Sequence, residues 1–129
     1  LLNHSEKRLS LREVQKAIQI SHQIGLKTMV CASDFEMLED IMAFKPTYLA
    51  YEPEELIGTT NSVTEVQPKM IAEAAKLLKD SGVKFLVGAG INSKQDILGA
   101  LELGAEGVLI ASSVVKAENP EEALKKLLH

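Results

Sequence analysis

Residues 47–60 read TYLAYEPEELIGTT, and this stretch carries both a fold signal and a chemical question. Thr47 to Tyr51 is β-prone and lacks polar alternation, the pattern of a strand covered on both faces, as in a parallel sheet. The run ends in a carboxylate, Glu52, and Pro53 follows at once. A charge at the mouth of a buried strand costs several kcal/mol unless it is paired, solvated or left protonated. Glu52 therefore needs a compensating partner, or it has a use.

Working outward, short apolar runs alternate with helical patterns. Ser10-Leu-Arg-Glu13 is a capping box, and Val14, Ala17, Ile18, Ser21 and Ile24 then recur near a 3.6 period until Gly25. KTMVC follows as a strand, with Cys31 read as a small buried hydrophobe. Ser33 and Asp34 offer caps to a helix bearing Met37, Leu38, Ile41 and Met42. Beyond the EELIGTTNSV connection, Pro68 suits the first turn of a helix that Gly82 closes, and KFLVG extends again. Ser93 to Asp96 caps a helix ending at Gly104, GVLI is the next strand, and Asn119-Pro120 opens the last helix. Strands without alternation separated by helices predict an α/β fold with a parallel sheet, about five βα units if the N-terminal LLN is the clipped end of a strand. A closed eight-stranded barrel needs about 250 residues, so this would be a partial barrel. A doubly wound open sheet has the same periodicity, and periodicity does not choose between them.

The 129 residues, 46% hydrophobic and 25% charged with a net charge of -4, have the composition of an ordinary globular domain, and residues 1–129 are read as a single domain. An aromatic share of 4% and the lack of a basic stripe argue against nucleic acid. No apolar run approaches the ~20 residues of a membrane span and no signal peptide is visible, so a cytoplasmic setting is expected without a membrane partner. The histidines and the one cysteine show no metal-ligand spacing, so no metal is expected. His22 and His129 read as surface residues.

Chemistry-bearing residues stand just after each strand: His4 and Ser5, Ala32 and Ser33, Glu52, the GAG of 88–90 and the ASS of 111–113. In parallel α/β folds the strand ends and their following loops form the ligand-binding rim. The two small-residue turns leave backbone N–H groups free for an anion, although tight βα turns favour Gly and Ser in any case.

LLNHSE, AYEPEELIGT, VGAGI and GVLIASSVVKA, in that order, resemble successive segments of the triosephosphate isomerase family, specifically its shorter archaeal branch. The resemblance runs from end to end and implies the C-terminal portion of a (β/α)8 barrel, from the end of its fourth strand. It implies an isomerase that interconverts dihydroxyacetone phosphate and glyceraldehyde 3-phosphate without a cofactor. By it, Glu52 is the general base and His4 the neutral electrophile, a pairing that the triosephosphate isomerase case exemplifies. Glu6 matches an acid that supports the family's catalytic lysine. PEELIGT matches a lid, with Ile57 and Gly58 meeting the substrate. Gly90, Ala111 and Ser112 match the backbone amides that hold the phosphate, and the partner molecules implied are a triose phosphate and further copies of the chain, as a dimer or tetramer.

Three departures stand beside this. The family's lysine, carried after the first strand in an Asn-x-Lys segment, has no counterpart, which makes the chain a fragment expected to be inactive alone. Thr60 replaces a usual Gly at the lid's end, where unusual backbone angles would strain a β-branched residue. Ser113 stands where Gly or Ala is common. A reading of another class is a half-barrel module that binds phosphorylated molecules without isomerising them.

Overall fold

The computed structural model describes all 129 residues. Its sheet has four parallel strands in the order β1 (Met29–Ala32), β2 (Tyr48–Tyr51), β3 (Lys84–Val87) and β4 (Gly107–Val108). The helices are α1 (Leu11–Gln23), α2 (Phe35–Met42), α3 (Val63–Val66), α4 (Pro68–Leu78), α5 (Lys94–Glu102), α6 (Ser112–Val115) and α7 (Pro120–Leu128), with a 3-10 turn at Glu54–Leu56. This is a parallel α/β arrangement of partial-barrel type.

The count of about five strands needs adjusting at both ends. LLN supplies one parallel bridge, Leu2 to Val30, because Asn3 turns the chain away with a φ of 57°. GVLI pairs over only two residues before the chain bends into α6. Two short helices were not foreseen. α3 begins where Ser62 accepts a hydrogen bond from the Thr64 N–H, and α6 follows directly on the Ala111 turn.

The caps form as the sequence suggests. Ser10 and Ser93 make reciprocal boxes with Glu13 and Asp96, and Asp34 and Asn119 accept from the third residues of their helices. Gly25 and Gly104 take positive φ just beyond α1 and α5. Closure of α4 differs, because the helix ends at Leu78 and Asp80 turns left-handed ahead of Gly82.

Registers place Cys31 beside Ala50 and Ala50 beside Leu86, so these share one face, while Val30, Leu49 and Phe85 share the other. Helices cover the second face. Its core has 20 buried residues, with Phe85, Leu49, Ile71, Leu38 and Ile18 at its centre. The first face holds a cluster of only three buried residues, Cys31, Ala50 and Leu86, flanked by the half-exposed Met29, Tyr48 and Leu109. No helix is long and apolar enough to cross a membrane.

Candidate active site

Seven of the candidate residues converge, from strand ends and from the loop after β2. His4, Glu52, Ile57, Gly58, Gly90, Ala111 and Ser112 all line one cavity of about 400 Å³, a volume within the usual range for small ligands. A larger groove of about 610 Å³ opens at the other end of the strands, but Lys76, Lys79, Asp80, Lys84 and Glu106 in it are all exposed. Its charges are already solvated, whereas the smaller cavity holds a charge that is not.

That charge is Glu52. Strand pairing continues one residue past β2, with the Glu52 N–H donating to Ala32 O at 2.8 Å, and this fixes the backbone. The residue is 9% exposed, and its Oε2 is buried with no hydrogen-bond partner. A buried carboxylate oxygen without a partner is costly, and such groups concentrate where a ligand is to be met. The nearest opposite group is His4, whose Nε2 lies 3.7 Å from Oε2, too far for a hydrogen bond. Gly88 lies beneath the carboxylate: a Cβ there would fall 2.5 Å from Glu52 Oε1. Cys31 also faces it from β1. Burial first, and then the charge of Glu52 and a hydrogen bond to it, push this thiol up to about 12, so Cys31 stays protonated and acts as a buried hydrophobe with a weak donor.

His4 is oriented from behind. The Glu6 backbone N–H donates to His4 Nδ1 at 3.3 Å, so in the neutral ring the proton resides on Nε2, the nitrogen facing Glu52 and the cavity. The residue before it is the buried Asn3, which donates from Nδ2 to Cys31 O at 3.0 Å and accepts from the Leu9 N–H at 2.9 Å. Arg8 joins this turn to the loop after Glu52: it donates to Asn3 O at 2.5 Å and, through Nε, to Glu54 Oε1 at 2.7 Å. Glu6 is the exception among the sequence-derived residues. Its side chain is exposed and outside the cavity lining, and its tie to the site is the backbone N–H.

The loop after Glu52 folds into the 3-10 turn and reaches the cavity at Ile57 and Gly58, the latter at a φ of 74° with open space around it. Thr60 is not strained: the positive-φ residues outside glycine are Asn3, Lys45, Asp80 and Ala89, so the expected difficulty at the loop's end does not arise. Gly90 also has a different reason from the one its turn suggests. Its φ is 67° and the space a Cβ would need is filled by the loop's own end, with Asn61 O only 1.9 Å away. Ser113, in place of a smaller residue, donates to Ile91 O at 3.0 Å and ties α6 to the Gly90 turn.

Sequence reasoning missed Asn92 and Lys116, which also line the cavity. Asn92 had a faint signal, since it stands directly before the Ser93 cap. Lys116 is the one lysine or arginine in the lining and sits at the end of α6, three residues beyond the last turn singled out. His22, read as a surface residue, is exposed and within 3.0 Å of Thr28 Oγ1, a contact that closes α1 onto the start of β1. No group of three or more His, Cys, Asp or Glu side chains is arranged to hold a metal ion.

The profile of the triosephosphate isomerase family matches residues 1–127. The chain belongs to the triosephosphate isomerase family. It is 43% identical over 130 aligned residues to the triosephosphate isomerase of Methanocaldococcus jannaschii, covering 99% of this chain and 59% of that protein. Those of Thermoplasma volcanium and Methanobrevibacter smithii are 39% and 41% identical, with 60% and 59% of their lengths covered. The chain thus spans about three fifths of the relatives it matches. Solved structures of similar shape include a flavocytochrome b2 double mutant with pyruvate bound, at a TM-score of 0.69, 17% identity and coverage of 92% of this chain and 32% of that one. A mandelate oxidase mutant with an FMN adduct aligns at a TM-score of 0.68 and 18% identity over 94% of this chain and 38% of its own. At such identities the likeness is one of barrel-type fold alone.

Proposed function

We propose that this chain supplies the proton-transfer half of a triosephosphate isomerase site, acting on dihydroxyacetone phosphate and glyceraldehyde 3-phosphate. The observation that carries the reading is the buried, unpartnered Glu52 Oε2 facing His4 Nε2 across 3.7 Å at the floor of the cavity. Glu52 is the base: it takes a proton from the carbon beside the carbonyl, the C–H electron pair forms the enediol double bond, and the carbonyl π pair moves onto oxygen. His4 Nε2–H donates a hydrogen bond to that oxygen as charge develops. The hydroxyl proton then passes from the oxygen of the first carbon to that of the second, the O–H pair left behind forms the new carbonyl, and the enediol double-bond pair takes the proton back from Glu52 at the neighbouring carbon. The step needs neither a metal nor an organic cofactor. The phosphate would lie against the backbone of Gly90, Ala111 and Ser112, with Ile57 and Gly58 closing from the loop.

The one Asn-x-Lys triplet of the chain, Asn92-Ser93-Lys94, opens α5 and is not at the family's lysine position, which follows the first strand of the barrel. We read the chain as the C-terminal portion of the barrel, forming one domain, cytoplasmic and homo-oligomeric when complete, and inactive as an isolated piece. Glu6 is assigned to the support of that lysine. In a full-length protein containing this chain, Glu52→Gln should lower kcat at least ~100-fold with a far smaller change in KM. Retention of most turnover on glyceraldehyde 3-phosphate would remove Glu52 from this role. The binding-module reading would be favoured instead if the unmodified full-length protein bound phosphoglycolate but turned over neither triose phosphate.

A further inference from the structure

His4 and Glu52 face each other across 3.7 Å, yet no strand ladder joins them. Leu2 bridges to β1 and β1 pairs with β2, so β1 lies between the two segments. The ladder also stops short of His4. Its last bond on that side runs from the Cys31 N–H to Leu2 O, while on the other side the Glu52 N–H reaches Ala32 O. The gap is therefore set by contacts beyond the strand ends.

Arg8 makes the contact that crosses it. Its Nε and Nη2 both donate to Glu54 Oε1, two residues after Glu52, and its Nη1 donates to Asn3 O, the carbonyl of the peptide that leads into His4. No other hydrogen bond joins residues 1–10 to residues 52–62. One guanidinium thus holds both flanks of the site, and its planar fork fixes direction as well as distance. We propose that Arg8 is a positioning residue: through Asn3 and Glu54 it sets the separation of His4 from Glu52, and the ion pair serves the reaction more than it serves the fold.

That division fits the exposure of the pair. Its side chains are 29% and 51% exposed, a setting in which an ion pair adds little to stability. The 3-10 turn that carries Glu54 is secured without Arg8, because Leu56 is buried in the core and the Thr59 hydroxyl donates to Leu56 O at 2.9 Å. Only Pro53 separates Glu54 from Glu52, and it is fully buried with a ring that fixes φ. So short and stiff a connection carries a displacement at Glu54 directly to the carboxylate. On the opposite flank the guanidinium reaches the His4 peptide itself.

Breaking the pair from the far side tests the tie. In the purified full-length protein containing this chain, Glu54→Ala leaves the His4 turn unaltered in sequence. The amides of Lys7 and Leu9, bonded to His4 O and Asn3 Oδ1, report on that turn with no ligand present. They should exchange about threefold faster in the variant, with α4 amides and the urea midpoint unchanged. Unchanged exchange at both, or a rise shared by α4, would overturn the tie.

The kinetic consequence rests on the reading of Glu52 as base and His4 as electrophile. Arg8→Met should lower kcat about tenfold while KM changes by less than about twofold, as misplacement of oriented groups does. Adding Glu54→Ala should cost no more, since both substitutions break one contact. Arg8→Lys keeps the charge without the fork and should recover little of the loss. A rise in KM in place of the fall in kcat, or full recovery by lysine, would overturn the positioning role. So would an equal loss from Glu121→Gln, which breaks the exposed pair with Lys125 on α7. If the unmodified protein turns over neither triose phosphate, the functional reading fails, and exchange at Lys7 and Leu9 still decides the tie.

Discussion

Two single residues set the geometry of the Glu52 and His4 pair. Gly88 leaves the room in which the Glu52 carboxylate lies, since a Cβ would come within 2.5 Å of Oε1 and 2.8 Å of Cδ. Gly88→Ala should therefore displace the carboxylate, and a misplacement of about 1 Å is worth roughly 100-fold in rate. We expect kcat of the full-length protein to fall by about that factor while KM changes less; steady-state kinetics with the native turnover rate retained would show that the carboxylate had room to yield. Asn3 does the corresponding work for His4. Its carboxamide satisfies Cys31 O and the Leu9 N–H while its backbone adopts a left-handed turn that Asn tolerates better than most residues. Asn3→Ala should destabilise by about 2–4 kcal/mol, from two buried partners left unsatisfied, measured by urea unfolding. The difference in legibility between these residues is physical. Glu52 was visible because it violates a local rule, a charge ending an apolar strand. Asn3 was invisible because its worth comes from partners 28 and 6 positions away, which no local pattern encodes.

Element boundaries were legible wherever a side chain closes on its own helix, as Ser10, Asp34, Ser93 and Asn119 do. At α4 the legible signal was Pro68 in the first turn and not a cap. Gln67 precedes α4 yet makes no cap hydrogen bond, because its side chain instead bonds to the Tyr51 hydroxyl and Glu55, tying β2 to the loop and to α4. The α5 box has a pH signature. Burial pushes the Asp96 carboxyl up, but the Asn92 N–H, the hydroxyls of Ser93 and Ser62 and the Ser93 N–H outweigh it and hold the group below its ordinary value. A depressed carboxyl contributes stability that is fully present above the unfolded-state value, near 4, and is lost as pH falls through the lower folded value. Urea midpoints should thus decline below about pH 4, and Asp96→Asn should flatten that part of the decline while costing stability at neutral pH. A variant whose midpoint keeps the wild-type acid slope would place the titration elsewhere.

For the whole molecule, the fold class followed from strands without alternation, whereas the unequal loading of the two sheet faces did not. Alternation is silent when both faces are apolar, and only the registers reveal that one face carries 20 buried residues and the other three. β1 and β4 form the borders of the sheet, with Leu2 covering part of one. Open borders and a thinly covered apolar face favour association. The 129-residue chain, 14.0 kDa as a monomer, should therefore elute as larger species by size-exclusion chromatography with light scattering; a monodisperse monomer would speak against this. The same asymmetry bears on the acid that opened the chain's chemistry. Glu52 stands on the thin face, above Cys31, Ala50 and Leu86. The surroundings of its carboxylate are thus set less by β2 than by the cover of that thin face. Thinning that cover admits water beneath Glu52 before any strand has come apart.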